Sequence, residues 1–251
     1  MTSWPSEYDR IILNEIDSTN SEAIRRSKSL EKSTWIMAEL QTLGKGRRGR
    51  SWLMSRDNFA ATLVLKTNIS IKEAALRSFV ASLALRATFI TYCKNEESFK
   101  LKWPNDVLLN GGKVAGILLE SIGKEAFIDN LIIGIGANLA NAPSRNEVDK
   151  SSGSPVSVFG ELGIKVPPKD FLFTLAQHFK FYEDKIRNFG FIEIKKEWLK
   201  YAAKLNGQII ARVGSKQVKG TFINVNDYGS LVINTSKGIK EIAAAEVYFG
   251  E

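Results

Sequence analysis

The run Val107-Leu108-Leu109-Asn110-Gly111-Gly112-Lys113-Val114-Ala115-Gly116-Ile117-Leu118-Leu119 constrains the fold more than any other segment. Asn-Gly between two apolar runs fits a two-residue turn whose central residues both take positive φ, so the flanking segments must pair as an antiparallel hairpin. A sheet is therefore obligatory. Phe99–Leu101 precedes the hairpin and Ala126–Ile135 follows it, while Thr34–Ala38 and Ala60–Leu65 add two more β-branched and apolar runs. Helical segments alternate with these strands. Asp17–Asn20 supplies capping side chains for a helix from about Ser21. Ser70 and Glu73 have capping-box spacing at the head of an apolar stretch reaching about Tyr92. Pro167-Pro168-Lys169-Asp170 opens another helix, with Phe171, Leu172, Leu175, Phe179 and Tyr182 on one side, and Phe191–Ala203 reads as a third.

The pattern changes after Asn206-Gly207. Short β runs (Ile209–Val213, Val218–Val225, Leu231–Ile233, Ile239–Ala243, Val247–Phe249) alternate with turns, as in a small all-β barrel. The expectation is an α+β fold, a mixed sheet with flanking helices over residues 1–204, followed by a β module at 205–251. Between them, Asn141–Ser157 is a polar, breaker-rich loop of a length that usually marks a lid or a mobile segment.

Composition removes several classes of chemistry. With a single histidine, His178, and a single cysteine, Cys93, there is no His-cluster zinc site and no internal disulfide. The apolar stretch Phe79–Tyr92 is shorter than a membrane span and contains Arg86, and the N-terminus has no signal pattern, so a cytoplasmic protein is expected. The net charge of +8 is concentrated. Lys45, Arg47, Arg48, Arg50 and Arg56 lie in Leu40–Arg56, which has no acid, and the chain without them is at +3. A focused cluster suits a small polyanion better than a long duplex.

Five short segments could carry chemistry. Gly44-Lys45-Gly46-Arg47-Arg48-Gly49-Arg50 puts cationic donors on a backbone that can approach a ligand closely, and it should order when an anion binds. Lys102-Trp103-Pro104-Asn105-Asp106 breaks a strand with polar groups. Lys113 heads an apolar strand interrupted by Gly116. Gly134-Ile135-Gly136-Ala137-Asn138 closes another strand, and Asp17-Ser18-Thr19-Asn20 opens a helix. Each alone is also explained by a turn, a bulge or a cap.

In this order and spacing the segments resemble the biotin protein ligase family from about Asp17 to the C-terminus. The resemblance implies a catalytic domain of the biotin–lipoate ligase type, like that of class II aminoacyl-tRNA synthetases, and a C-terminal barrel of Src-homology-3 type. It implies activation of biotin by ATP to biotinyl-5′-adenylate and transfer to one lysine of a biotin carboxyl carrier protein or domain, that of acetyl-CoA carboxylase. Ser18, Thr19, Asn20 and Gln41 would hold the ureido ring. Lys45, Gly46 and Arg47 would lie over the biotin carboxylate and adenylate phosphate, with Gly116 allowing passage beside biotin. Arg48 and Arg50 would clamp the triphosphate, and Trp52 would cover the adenylate. Lys102, Asn105 and Asn138 would contact nucleotide. Lys113 matches the family's essential lysine and, with Arg47, is the catalytic assignment. Mg²⁺ would accompany ATP, with Asp106 as a candidate ligand. Asn141–Ser157 would pack on adenine. Position 45 departs from the family's usual Arg, giving up a bidentate fork. Only 16 residues precede Asp17, too few for a winged helix, so sequence-specific DNA binding is not expected. The same holds for membrane association, while a homodimer remains open. A lipoate or octanoate ligase of the same fold, or an RNA-binding module using the basic loop, are the alternatives.

Overall fold

Asn110 and Gly111 take φ of 50° and 85°, as the turn between β5 (Asp106–Leu109) and β6 (Gly112–Lys124) requires. In the computed structural model, which describes residues 3–124, 127–148 and 153–249, this hairpin lies within a seven-stranded sheet. The other strands are β1 (Tyr8–Ile16), β2 (Ser33–Gln41), β3 (Phe59–Ser70), β4 (Phe99–Lys102) and β7 (Phe127–Ala137), in the order β1-β2-β3-β7-β6-β5-β4. Only β1 and β2 run parallel; the remaining neighbours are antiparallel, so the sheet is mixed. β4 and β5 are separated at Trp103-Pro104-Asn105, where proline cannot donate to a ladder.

Side chains on β2 alternate between two cores. Trp35 and Met37 join the large cluster with Phe79, Phe89, Phe171 and Phe179, while Ile36 meets Ala23, Val64 and Ile132. The large cluster is covered by α3 (Arg77–Cys93), α5 (Pro168–Phe189) and α6 (Phe191–Lys200), and the smaller one by α1 (Thr19–Arg26). The capping box at Ser70 is formed, with both reciprocal bonds present, but it caps a five-residue helix, α2 (Ile71–Ala75), that re-registers at Leu76 before α3. The segment Ile71–Cys93 is long and apolar enough to cross a membrane by composition alone. Here it is the core helix, and its two buried arginines are satisfied. Arg77 pairs with Glu183 at 3.0 and 3.1 Å, and Arg86 donates to the Phe99 and Glu96 carbonyls.

Strands β8 (Gln208–Val213), β9 (Lys216–Val225), β10 (Leu231–Thr235), β11 (Gly238–Ile242) and β12 (Glu246–Tyr248) form an antiparallel sheet in the order β11-β10-β9-β8-β12. This is the small Src-homology-3-like module expected after Asn206-Gly207. It docks on the first unit: the Trp103 indole N–H donates to the Gly229 carbonyl at 3.0 Å. Two elements were not anticipated. β1 is an edge strand, and a short helix, α4 (Val158–Leu162), follows the long loop. Of the 141–157 loop, residues 149–152 lie outside the described ones, as does residue 126 of the expected strand.

Candidate active site

The floor of the site is a pair of glycines. Gly116 and Gly136 are register partners across β6 and β7. A Cβ on Gly136 would lie 2.3 Å from the Trp52 ring, and one on Gly116 would lie 3.2 Å from it and 3.3 Å from the Lys113 amine. The absent side chains therefore make a seat for the indole. Gly116 makes room for Trp52 and Lys113, a neighbour the sequence did not suggest. The segment that delivers Trp52 folds back on itself: Gly46 N–H donates to the Arg50 carbonyl at 2.7 Å, and Trp52 N–H to the Gly44 carbonyl at 2.8 Å. Arg48 and Gly49 at its tip take φ of 58° and 74°, which explains one glycine of the motif.

Around this floor a cleft of about 470 Å³ gathers every residue proposed from the sequence. Ser18, Thr19 and Asn20 enter from the start of α1, where the Ser18 hydroxyl caps the helix, and Gln41 from the end of β2. Lys45, Gly46, Arg47, Arg48 and Arg50 come from the loop, Lys102, Asn105 and Asp106 from the β4–β5 turn, Lys113 from the head of β6 and Asn138 from beyond β7. Pro143, Glu147, Val148, Gly153 and Pro155 of the long loop complete the wall. The loop's far end is zipped to the lysine strand, with Lys113 N–H donating to Ser154 and Val156 N–H to Lys113.

The cleft has two chemically distinct ends. Ser18, Thr19, Asn20 and Gln41 are buried and neutral, a polar pole beside the apolar Ile117, Leu118 and Ile135. At the other end six cations (Lys45, Arg47, Arg48, Arg50, Lys102, Lys113) face three carboxylates (Asp106, Glu147, Glu246), a balance that favours a polyanion. Burial pushes Arg47 below its usual pKa and does the same to Lys102, against the pull of Asp106. A phosphate would restore the counter-charge these groups lack.

Several contacts refine the expected roles. The Lys113 amine is 2.7 Å from Asp106 and faces the Trp52 ring at 5.7 Å. Asp106, the candidate metal ligand, is thus the counter-ion of the lysine. Among the described residues no group of three or more His, Cys, Asp or Glu could hold a metal, so the residues do not form a protein cage for Mg²⁺. Asn105 donates to the Ile117 carbonyl at 2.6 Å and accepts from Arg47 at 3.1 Å; it aims the arginine. Asn138 donates to the Val156 carbonyl at 3.0 Å and so fixes the long loop.

The second module supplies residues that sequence reasoning missed. Glu246 on β12 is ion-paired with both Arg48, at 3.1 Å, and Arg50. Burial pushes its carboxyl up, but the Tyr248 hydroxyl and the two guanidinium groups outweigh this and hold it below the ordinary carboxylate value. Phe249 lies under the Lys102 amine at 4.9 Å. No motif marked Glu246; its one signal is that it is an acid opening a strand that continues as Val247-Tyr248.

A mixed sheet with a glycine floor, a neutral polar pole and a cationic pole closed by a β module defines an enzyme that handles a small polar-ringed molecule together with a polyanion. Comparison with known proteins names the class. Residues 13–138 match the model of the biotin/lipoate A/B protein ligase family, and residues 204–250 that of the biotin protein ligase C-terminal domain. The chain is 45% identical over 239 residues to a biotin–[acetyl-CoA-carboxylase] ligase of Paracoccus denitrificans, covering 95% of this chain and all of that one. It is 29% identical to the bifunctional ligase/repressor BirA of Bacillus subtilis, covering 87% of this chain and 67% of the relative. The structure superposes on the biotin protein ligase of Aquifex aeolicus in complex with biotin and ATP with a TM-score of 0.80 and 26% identity, over 96% of this chain and 97% of that one. The chain belongs to the biotin/lipoate A/B protein ligase family.

Proposed function

We propose that the protein is an ATP-dependent biotin–[acetyl-CoA-carboxylase] ligase, with catalytic residues in 1–204 and a closing module in 205–251. The observation that carries this reading is the polarity of this cleft: a neutral hydrogen-bonding pole for a ureido ring at one end, a cationic pole for a triphosphate at the other, and Lys113 between them.

In the first half-reaction a carboxylate oxygen of biotin bonds to the α-phosphorus and the bond from that phosphorus to the α,β-bridging oxygen breaks, releasing pyrophosphate. Two anions must meet for this, so the requirement is positioning and positive charge. Ser18, Thr19, Asn20 and Gln41 hold the ring. Lys113 and Arg47 sit where carboxylate and α-phosphate converge. Arg48 and Arg50 leave Glu246 for the triphosphate, and Trp52 covers the adenylate. Magnesium accompanying ATP would neutralise part of the triphosphate charge, and the described residues include no cluster of three or more acidic, His or Cys side chains to hold it. In the second half-reaction the acceptor lysine amine attacks the acyl carbon, AMP leaves with the bonding pair, and the amine sheds a proton. The acceptor is the biotin carboxyl carrier domain of acetyl-CoA carboxylase, met in the cytoplasm.

Incubating the purified protein with biotin, ATP and an isolated carrier domain tests the reading. Mass spectrometry should show one biotinyl group on one carrier lysine, dependent on ATP. Lipoylation of a lipoyl domain under the same conditions, with no biotinylation, would establish the alternative ligase.

A further inference from the structure

Thr62 on β3 has no exposed surface and is not among the cleft's lining residues, yet it touches two residues that are. Its hydroxyl oxygen lies 2.8 Å from Thr19 Oγ1 and 2.7 Å from Asn20 Oδ1. The orientation of both neighbouring amides is decided by partners with only one hydrogen-bonding sense. Glu120 Oε2, 2.7 Å away, accepts from Asn20, so the amide nitrogen of Asn20 faces Glu120 and its carbonyl faces Thr62. The backbone N–H of Thr19 donates to Gln41 Oε1 at 2.7 Å, so the carbonyl of Gln41 faces Thr19. A third close contact, 2.9 Å, joins that carbonyl to Thr19 Oγ1.

Three oxygen–oxygen contacts of 2.7 to 2.9 Å thus share two hydroxyl protons. In every assignment one contact has no proton in it. The pole therefore holds more acceptors than donors, and Asn20 has little freedom to relieve this. A Cβ on Gly134 would lie 1.9 Å from Asn20 Oδ1, so the carbonyl is pressed against the sheet.

We infer that Thr62 and Glu120 are positioning residues that set the donor–acceptor polarity of the ring-binding pole, so that it selects a carboxylic acid whose ring presents N–H donors. This rests on the proposed biotin-ligase reading and adds the two residues behind the pole that make it acceptor-rich. A site built around a hydrogen bond rejects the analogue lacking it far more strongly than an apolar pocket discriminates by size. Thr62→Val keeps the shape but removes one proton and one oxygen, leaving Asn20 Oδ1 against a methyl group. Glu120→Gln keeps the size but can donate, which releases the Asn20 amide to turn over.

The test is calorimetric titration without nucleotide, using biotin and biotin methylated on a ureido nitrogen, on wild type, Thr62→Ser, Thr62→Val and Glu120→Gln, with melting curves for each. Thr62→Val and Glu120→Gln should weaken biotin at least about tenfold and shrink the preference for biotin over the methylated analogue by a similar factor. Thr62→Ser should stay within about threefold of wild type because it keeps the hydroxyl. Equal weakening of both ligands, with the preference intact, would overturn the inference, as would wild-type affinity in both variants. Should Thr62→Val fail to fold, the partly exposed Glu120→Gln carries the same comparison. Wild-type protein that binds no biotin would instead bring down the underlying ligase reading.

Discussion

Replacing Gly136 by alanine should cripple the enzyme through a residue that carries no chemistry. The added Cβ would stand 2.3, 2.5 and 2.8 Å from Cε2, Nε1 and Cζ2 of Trp52. Carbon atoms in contact settle at about 3.5–4.0 Å, so ring and strand must part by roughly 1.2 Å or more. The strand is held on both sides, with Gly136 paired to Ala60 of β3 and Gly116 of β6, so the indole moves. It moves up, into the 470 Å³ cleft and toward Lys113. Overpacking of this kind costs about 1–3 kcal/mol, which for a chain of this length lowers the melting temperature by about 2–12 °C. A displacement near 1 Å in a site that works by positioning costs about 10²-fold in rate. Pyrophosphate exchange and thermal melting read both effects. A Gly136→Ala enzyme with wild-type exchange and an unchanged melt would show that Trp52 does not sit on the glycine floor.

Three further perturbations probe the cationic pole and its surroundings. Lys113→Gln should slow exchange by about 10²–10³-fold, and adding Asp106→Asn should remove the stranded carboxylate and recover lost melting temperature without recovering rate; joint recovery of rate would deny the lysine its role. Glu246→Gln releases Arg48 and Arg50 from two partly solvent-screened ion pairs worth together about 1–2 kcal/mol, so limited trypsin digestion without nucleotide should cut after these arginines faster than in wild type. Because the Glu246 carboxyl is held below its ordinary value in the folded state, this contact is fully present above the ordinary carboxylate range and is lost as pH falls through the lowered value, so in wild type alone the amides of residues 46–50 should lose hydrogen-exchange protection, relative to their intrinsic rates, over that fall in pH. Cys93 is buried and its thiol is pushed up to about 11 by burial, so an aromatic disulfide reagent at pH 8 should label it only in denaturant and leave exchange intact; rapid native labelling would contradict that burial.

The site was legible where residue types had to be unusual. Glycines at 116 and 136 inside apolar strands, a proline breaking β4 from β5, and five cations without an acid over Leu40–Arg56 all conflict with ordinary strand and loop chemistry. The Asn110-Gly111 hairpin was legible for the same reason. What escaped had ordinary sequence. β1 is an edge strand, exposed or half-exposed over most of its length, so its apolar and charged residues show no clean alternation. Thr62 is unremarkable within β3, and Glu120 closes the Lys113–Glu120 segment without a role that its sequence assigns; they act on side chains 42, 43 and 100 residues away. Glu246 reaches Arg50 across 196 residues, a pairing that exists only once the second module has docked. Asp106 was read as a metal candidate because carboxylates near phosphate sites often are; its actual neighbour, Lys113, is brought beside it by the β5–β6 hairpin.

The most direct test is ATP–pyrophosphate exchange by purified protein supplied with biotin, with lipoate or with neither acid. Exchange that requires biotin and fails with lipoate is the expected result, since the buried polar pole of Thr19, Asn20 and Gln41 has hydrogen-bonding groups that a dithiolane ring leaves unpaired. Exchange driven by lipoate and absent with biotin, from a sample shown to be folded, would contradict it.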